Sequence, residues 1–535
     1  MNLYSFLLSF KQWAKEWGLP LLSGLSTYGL LWIAQPPNDC PEAAFVFLFP
    51  ALLWLSSKPR FSKVFWVFGL SGLIYHICLI GWMRHITLEG MLLASCFLSV
   101  YYLPWFLLAR RFILHGLSQS FGKRLIFLIC LPALWVSIEW LRCQFTLGFP
   151  WCPLSVTQWE RPMILQSVAW CGSWCVSFFL VTFNLCICSY LHHLIVRRRQ
   201  RDGGFLSSLC PDFYYGICLF CLIVSPFFLK QNSKASIDDS SDLKVGVCQP
   251  YLKDKWQKEN ATMHKDILKK QTRLLSEMEP DLIVWPEAST PYALNLDGQW
   301  IEALVDDCDV PLFLGSVVRL GGNSYNTVSR VLPQSGIDSQ WYAKRILVPF
   351  GEYVPFPFRW IPGLRRLVGP VGNFTSGESF VSLDLSLENG SNLKVAPLIC
   401  YEDIFPALSK GAVQHKSDLL FVTTNDAWFG EEGCAEQHAA HSVMRAVESG
   451  LPVLRCGNAG WSGWIDPFGR KQDVLLDEEG SVYFQGAGIV EISTAWNRKT
   501  FYSQNIDFFA YFCLIASGLL LIHSFLICIW LRKRN

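Results

Sequence analysis

The sequence predicts a multi-span α-helical membrane bundle that carries one soluble α/β domain, and three observations carry that prediction. Charged residues make up only 16% of the 535 residues, against about 25% in an ordinary soluble domain. Apolar stretches near the length that crosses a bilayer, about 20 residues, recur between 20 and 229 and again at 508–530. Between 243 and 492 the pattern changes to short apolar runs alternating with amphipathic stretches, the rhythm of strands and helices in turn. The composition excludes disorder, collagen and a small disulfide scaffold. A formal net charge of +2 gives no global field for nucleic acid.

In order, the apolar stretches fall at 20–36, 43–57, 64–83, 90–108, 125–141, 168–190, 213–229 and 508–530, about eight spans, of which the second is short enough to be re-entrant. Lys and Arg gather in cytoplasmic loops, and here they alternate. Lys11 and Lys15, then Lys58, Arg60 and Lys63, then Arg110, Arg111, Lys123 and Arg124, then Arg197, Arg198, Arg199 and Arg201, then Arg532, Lys533 and Arg534 fall on one side, and the loops between are poor in both. Both termini are therefore expected in the cytoplasm and the long segment between the last two spans outside. The first stretch lacks a small-residue cleavage site and reads as a retained anchor. The expected division is a membrane domain over 1–235, an extracytoplasmic domain over 243–495, and a last helix with a basic tail over 506–535.

Within the soluble domain, strands are expected at 244–249, 282–285, 312–318, 326–332, 393–399, 419–423 and 452–456. Helices are expected at 256–278, where Met263, Ile267, Leu268, Leu274, Leu275 and Met278 recur at helical spacing, and at 435–449. Of the 20 cysteines, those in the spans serve as small apolar filler. A disulfide such as Cys308 with Cys434 is left open, and nothing has the spacing of a metal site. His438 and His441 read as helix-surface residues, and the triplets at Asn260, Asn373 and Asn389 as chance matches to a glycosylation signal.

Cys400 ends an apolar strand and meets a polar turn at once, where a sheet presents a nucleophile. A thiol nucleophile needs a base and a positive or N–H-rich site for the oxyanion. Glu287, fixed behind the strand-stopping Pro286, and Lys344, behind the run Trp341 to Ala343, are residues of both kinds at strand ends. Singly, each is also what an ordinary loop or surface offers.

Several strings in fixed order change that balance. Trp285-Pro286-Glu287, Lys344 followed by Leu347-Val348-Pro349-Phe350-Gly351-Glu352-Tyr353-Val354-Pro355, and Cys400-Tyr401-Glu402 resemble the nitrilase superfamily, and within it the membrane-embedded apolipoprotein N-acyltransferases. Asn425-Asp426-Ala427-Trp428-Phe429-Gly430, Arg445-Ala446-Val447-Glu448, and Arg455 with Asn458, Gly460 and Ser462 extend the resemblance. Glu139-Trp140-Leu141-Arg142 and Gly148-Phe149-Pro150-Trp151 carry it into the membrane part.

The resemblance implies an α/β/β/α nitrilase-like sandwich on the outer face of a bacterial inner membrane. It implies that Cys400 takes an acyl chain from the sn-1 ester of a phospholipid and passes it to the α-amino group of a diacylglyceryl-modified cysteine on a lipoprotein. Glu287 would be the general base, Lys344 with the Tyr401 N–H would hold the oxyanion, and Glu352 and Glu402 would orient Lys344 and the amine. Trp256, Glu139, Arg142, Trp151, Asn425, Trp428 and Arg359 are the candidate substrate contacts, with mutual pairing of Glu139 and Arg142 at helical i,i+3 spacing an equal alternative. A lysine beside the thiol is expected to lower its pKa. No metal or cofactor is needed, and a monomer is expected. The stretch 356–371, with Phe356, Phe358, Trp360, Ile361, Leu364, Leu367 and Val368 interleaved with Arg359, Arg365 and Arg366, suits an interfacial lid. Two rival readings are a membrane-tethered amidase using water as acceptor and an inactive scaffold or transporter.

Overall fold

The computed structural model describes residues 14–116, 120–145, 148–200, 210–230, 242–252, 257–356, 358–361, 372–387, 390–494, 496 and 499–532. Trp256, Lys11, Arg201, Asn389, Lys533, Arg534 and the 362–371 half of the expected lid lie outside the described residues.

Among the described residues six helices are long and apolar enough to cross a membrane: Phe61–Leu79, Leu88–Arg111, Phe121–Gln144, Trp174–Ile195, Pro211–Phe228 and Phe508–Leu526. The first two of the eight expected stretches fall outside this set. The first stretch is the helix Leu19–Ala34, continuous with the π-helical turn Ala14–Gly18 before it. The second is a 3₁₀ turn, Pro41–Phe45, and a short helix, Phe49–Leu55, each opened by a proline that cannot continue a preceding helix. The fourth is two helices, Leu88–Ser99 and Leu103–Gly116.

After Phe121–Gln144 the chain runs from Gly148 to Cys171 through short turns, held by two buried charges of that helix. The Arg142 guanidinium donates to the carbonyls of Phe149 (2.6 Å) and Trp151 (3.3 Å) and to the Tyr102 hydroxyl (3.1 Å). Glu139 Oε1 accepts from the Leu154 N–H (2.8 Å) and the Trp135 indole (2.9 Å). The segment sits tightly on its anchor: a Cβ at Gly148 would fall 1.6 Å from the Arg142 carbonyl oxygen.

The rest of the chain builds strands β1 (Asp242–Gln249), β2 (Leu282–Trp285), β3 (Leu312–Leu320), β4 (Asn323–Leu332), β5 (Gly336–Ala343), β6 (Leu383–Ser386), β7 (Asn392–Ile399), β8 (Leu419–Thr424), β9 (Val453–Gly457), β10 (Gly463–Ile465), β11 (Lys471–Gln472) and β12 (Gly486–Ser493). They form two six-stranded sheets, ordered β12-β1-β2-β3-β4-β5 and β11-β10-β9-β8-β7-β6. Period-two alternation sorts the side chains. Leu243, Val245, Val247, Val284 and Phe313 of the first sheet meet Val395, Ile399, Leu419, Phe421 and Leu454 of the second in a core between them. On the outer face of the first sheet, Ile283, Trp285 and Leu314 pack with Leu268 and Leu275 of helix Ala261–Ser276 and Ile301 and Leu304 of helix Gln299–Cys308. The α/β/β/α sandwich is therefore as expected, and so are the seven strands read from sequence, to within three residues. The strands not anticipated are β5, β6, β10, β11 and β12, which are short, polar or glycine-containing. Cys308 and Cys434 are both free.

The outer face of the second sheet is covered differently. Ala396, Leu398, Leu420 and Val422 join one continuous core with the membrane helices, through helices Pro406–Gln414 and Cys434–Ser449. The second of these is buried on every side except at Glu436, because the sheet lies on one flank and the 148–171 segment on the other. His438 and His441 are therefore interior residues, not the helix-surface residues expected; one helical period read from sequence reveals one buried face, and a second covering layer leaves no such signature. Gln437 ties the layers together. Its Oε1 accepts from the indoles of Trp82 (3.0 Å) and Trp151 (2.7 Å), and its Nε2 donates to the carbonyls of Pro36 and Leu79, both at 3.1 Å. The backbone N–H of Cys152 donates to His441 Nε2 (3.2 Å).

Replacing this amide strands two buried indoles and two buried carbonyls. Gln437→Leu should destabilise the protein by about 2 kcal/mol or more, read as a lower thermal unfolding midpoint in detergent, whereas Met263→Gln on an exposed helix face should change it little.

Candidate active site

The parallel strands of both sheets end on the same side, where open α/β sheets place their ligands. There β2 delivers Pro286 and Glu287, β5 delivers Lys344, β7 delivers Cys400 and β8 delivers Asn425. The Glu287 N–H donates to the Thr424 carbonyl (3.3 Å), which joins the two sheets at this rim. The turn carrying Glu287 lies against Gly315 of β3, where a Cβ would come within 2.5 Å of the Glu287 Cα and the Pro286 oxygen; no side chain fits there.

Lys344 is buried with its ammonium 2.9 Å from Glu352 Oε1 and 3.4 Å from Glu287 Oε1. Asn326 of β4 donates from Nδ2 to the same two oxygens, at 2.7 Å to Glu287 and 3.1 Å to Glu352. Glu352 Oε2 accepts from the Val348 N–H (2.7 Å), which folds the 347–355 loop over the lysine. Burial pulls the ammonium's pKa down, but the carboxylates of Glu352 and Glu287 outweigh it and hold it well above the ordinary lysine value. This group stays charged.

Cys400 has φ +51°, a left-handed conformation rare outside glycine. It turns β7 into the 3₁₀ turn Cys400–Ile404 and sets the thiol at the rim. Glu402, fully buried, braces that turn against the lysine loop. Its Oε2 accepts from the Ile399 N–H (2.8 Å) and the Tyr342 hydroxyl (2.8 Å), and its Oε1 from the Arg345 (2.7 Å) and Ile346 (3.2 Å) N–H groups. Burial pushes the Cys400 thiol well above its ordinary pKa; Glu287, Asp426 and Glu352 add to this, and Lys344 offsets only part. The expectation of a lowered thiol pKa is thus reversed, because burial dominates and the lysine's charge is already balanced by carboxylates.

Behind the turn lies a second charged cluster. Asp403 accepts from Arg455 Nη1 (2.6 Å) and the Ser442 hydroxyl (2.6 Å) and pairs with His438 Nε2 (2.9 Å), and His438 Nδ1 lies 3.2 Å from Asp426 Oδ1. His438 Nε2 also reaches the carbonyl oxygen of Cys400 (3.1 Å). Beside it Arg445 pairs with Glu448 (2.7 Å), which accepts the Ser173 N–H (2.9 Å) from the membrane part.

Of the residues chosen from sequence, Glu287, Lys344, Glu352, Cys400, Tyr401 and Glu402 converge here. Tyr401 stacks its ring on Phe149, with centroids 6.1 Å apart, and Phe149 stacks on Trp151. Trp151 packs against His438 and His441 and is buried, so it lines the interface and not an open site. Glu139 and Arg142 are likewise buried and hold the 148–154 backbone. Glu402 is enclosed by four protein donors. Asn425 is buried against Asn458 (2.8 Å). Trp428 is 45% exposed beside the rim. Arg359 lies over the rings of Phe356 and Trp360, which are 65% and 67% exposed. Sequence reasoning missed Asn326, Asp403, Asp426 and His438. An asparagine inside a strand was the available signal for the first, since strands are poor in Asn.

Comparison with known proteins gives the family. Residues 29–186 match a family model described as the apolipoprotein N-acyltransferase N-terminal domain, and residues 244–488 one described as carbon-nitrogen hydrolase. The chain is 25% identical to an apolipoprotein N-acyltransferase of Chlorobaculum tepidum, over 95% of this chain and 96% of that one. It is 26% identical to one of Geobacter metallireducens, over 94% of each, and 30% identical to one of Agrobacterium fabrum, over 82% of this chain and 84% of that one. Among solved structures, an amidase from Nesterenkonia aligns with a TM-score of 0.37 at 16% identity, over 50% of this chain and 93% of its own. A family match in each half and a relative at 30% identity spanning most of both chains lead to one conclusion: the chain belongs to the apolipoprotein N-acyltransferase family.

Proposed function

We propose that this protein transfers an acyl chain from the sn-1 ester of a phospholipid, through a thioester on Cys400, to the α-amino group of an S-diacylglyceryl-cysteine at the N-terminus of a lipoprotein. The observation that carries the reading is the Lys344 ammonium held between Glu287 and Glu352 at the rim where Cys400 turns out of β7.

In the first half-reaction the Cys400 sulfur attacks the ester carbon while its proton passes to Glu287. A thiol whose pKa lies above its ordinary value is protonated at rest, so a base must act as the bond forms. The oxyanion is met by the Lys344 ammonium and the Tyr401 N–H, donors held in place before the charge develops. Collapse expels the lysophospholipid alkoxide, which takes the proton back from Glu287. In the second half the neutral amine attacks the thioester, Glu287 takes its proton, and the sulfur leaves and is reprotonated. Glu352 and Asn326 hold Lys344 and Glu287 in register. Supporting a bilayer substrate are the exposed Phe356, Trp360 and Ile361 beside Arg359, apolar surface for acyl chains next to a cation for phosphate, and the stack from Tyr401 through Phe149 to the membrane helices. The alternation of Lys and Arg supports a site on the outer face of the inner membrane, with both termini in the cytoplasm.

Intact-protein mass spectrometry in phospholipid micelles, with and without a diacylglyceryl-cysteine peptide, tests this reading. The wild type should gain one acyl mass and lose it to the peptide amine. Cys400→Ala should gain none, and its turnover of peptide would end the proposal. An adduct lost equally fast as free fatty acid without peptide would make the protein a hydrolase. Glu287→Gln should slow acylation roughly 10²- to 10⁴-fold, and Lys344→Met roughly 10²- to 10³-fold, with unfolding midpoints retained in the Gln variant. Iodoacetamide alkylation of wild-type Cys400 should keep rising through alkaline pH, because the raised thiol pKa puts the thiolate there; a plateau near neutrality would contradict the electrostatics.

A further inference from the structure

We infer that His438 is a positioning residue for the oxyanion: by donating to the Cys400 carbonyl it fixes and polarises the Cys400–Tyr401 peptide, whose N–H is the second donor to the tetrahedral intermediate. The inference rests on the acyl-transfer reading above and adds to it a residue that reaches the substrate only through the backbone.

The protonation state follows from the neighbours. Nε2 faces the Cys400 carbonyl (3.1 Å) and Asp403 Oδ1 (2.9 Å), and Nδ1 faces Asp426 Oδ1 (3.2 Å). Carbonyl and carboxylate oxygens only accept, so both ring nitrogens carry hydrogen and the ring is an imidazolium. Its charge and that of Arg455 balance Asp403 and Asp426, and all four side chains are buried.

A trans peptide points its C=O and N–H in opposite directions. Holding the Cys400 oxygen on the helix side therefore aims the Tyr401 N–H away from the helix, toward the rim. A cationic donor on the carbonyl also draws density through the amide and strengthens the N–H as a donor. The left-handed φ of Cys400 makes this peptide one whose orientation needs such a clamp.

The groups facing the ring are Asp403 and Cys400 from the turn, Asp426 after β8, Arg455 of β9, His441 and Cys434 of its own helix, and the uncharged Trp151 from the membrane part. Burial would lower the imidazole pKa, but Asp403 overrides it, and with Asp426 the value rises to about 9. The clamp is fully charged at neutral pH and is lost as pH climbs through that value.

The test compares wild type, His438→Gln, and the charge-balanced double variant His438→Gln with Asp426→Asn. Two rates are read at Cys400: thioester formation from phosphatidylethanolamine in mixed micelles, and alkylation by iodoacetamide. Acylation passes through an oxyanion, whereas alkylation is displacement at a saturated carbon and builds none. Near neutral pH both variants should acylate roughly 10- to 100-fold more slowly while alkylating within a few-fold of wild type. The wild-type advantage in the ratio of acylation to alkylation over both variants should shrink as pH passes about 9, and an advantage that stays constant across that range would overturn the charged clamp. Acylation and alkylation falling together would make His438 a prop for the thiol and overturn the inference, as would unchanged acylation. A wild type that alkylates but never acquires a thioester would instead overturn the acyl-transfer reading itself.

Discussion

Taking a lysine ammonium out of water costs several kcal/mol unless carboxylates replace its lost hydration, and Lys344 has two, Glu352 at 2.9 Å and Glu287 at 3.4 Å. Much of the site follows from that pairing. Two anions around one cation leave the pocket with a net negative charge, so it resists a third anion on sulfur and keeps the thiol protonated until an electrophile arrives. The same pairing explains Asn326, whose amide donates to both carboxylates and stops them from repelling each other out of register. Glu402 braces the same site: the loop that carries Lys344 and the turn that carries Cys400 come from different sheets, and a carboxylate with four donors pins one to the other.

Membrane and catalytic parts share a core, and the helix Cys434–Ser449 is the shared element. One flank covers the second sheet; the other meets Trp151, Cys152 and Ser173. Its polar residues are spent on the two sides in turn: Gln437, His441 and Glu448 on the membrane segments, and His438 and Ser442 on the turn behind the nucleophile. The 148–151 segment that this helix holds is also the one that stacks on Tyr401. A segment packed against the membrane helices thus lies one ring away from the residue next to the reacting sulfur.

The seven main strands, and the strand-end strings that place Glu287, Lys344 and Cys400 at one rim, were legible because each rests on local pattern: apolar runs, and short strings in fixed order. What stayed hidden depends on arrangement in space. Hydropathy does not register where Pro41 and Pro50 break the second apolar stretch. The thiol's electrostatics were misread because a neighbouring lysine was legible and the two carboxylates neutralising it were not yet placed around it. His438 and His441 were assigned to a surface because a second covering layer comes from 300 residues away in the chain, roughly the separation of Trp151 from the helix it covers. Glu139 and Arg142, charges within an apolar helix, did mark something of consequence, though what they hold is backbone.

The pairing of β1 with β12, eight residues in register from Asp242 with Ser493 to Gln249 with Gly486, has a consequence for biogenesis. The first strand of the domain waits for its last, so the sheet cannot close while the chain between them is still being made. The C-terminal helix then packs on Phe121–Gln144, where the hydroxyls of Ser517 and Ser137 meet at 3.0 Å, and Asp507 accepts from the Trp174 indole (3.1 Å). These are contacts of very high sequence separation, the kind that form slowly. Assembly is therefore a late event after synthesis: an early-inserted bundle stands as a template, an unclosed domain rests against it, and insertion of the last helix locks the two into the shape that works.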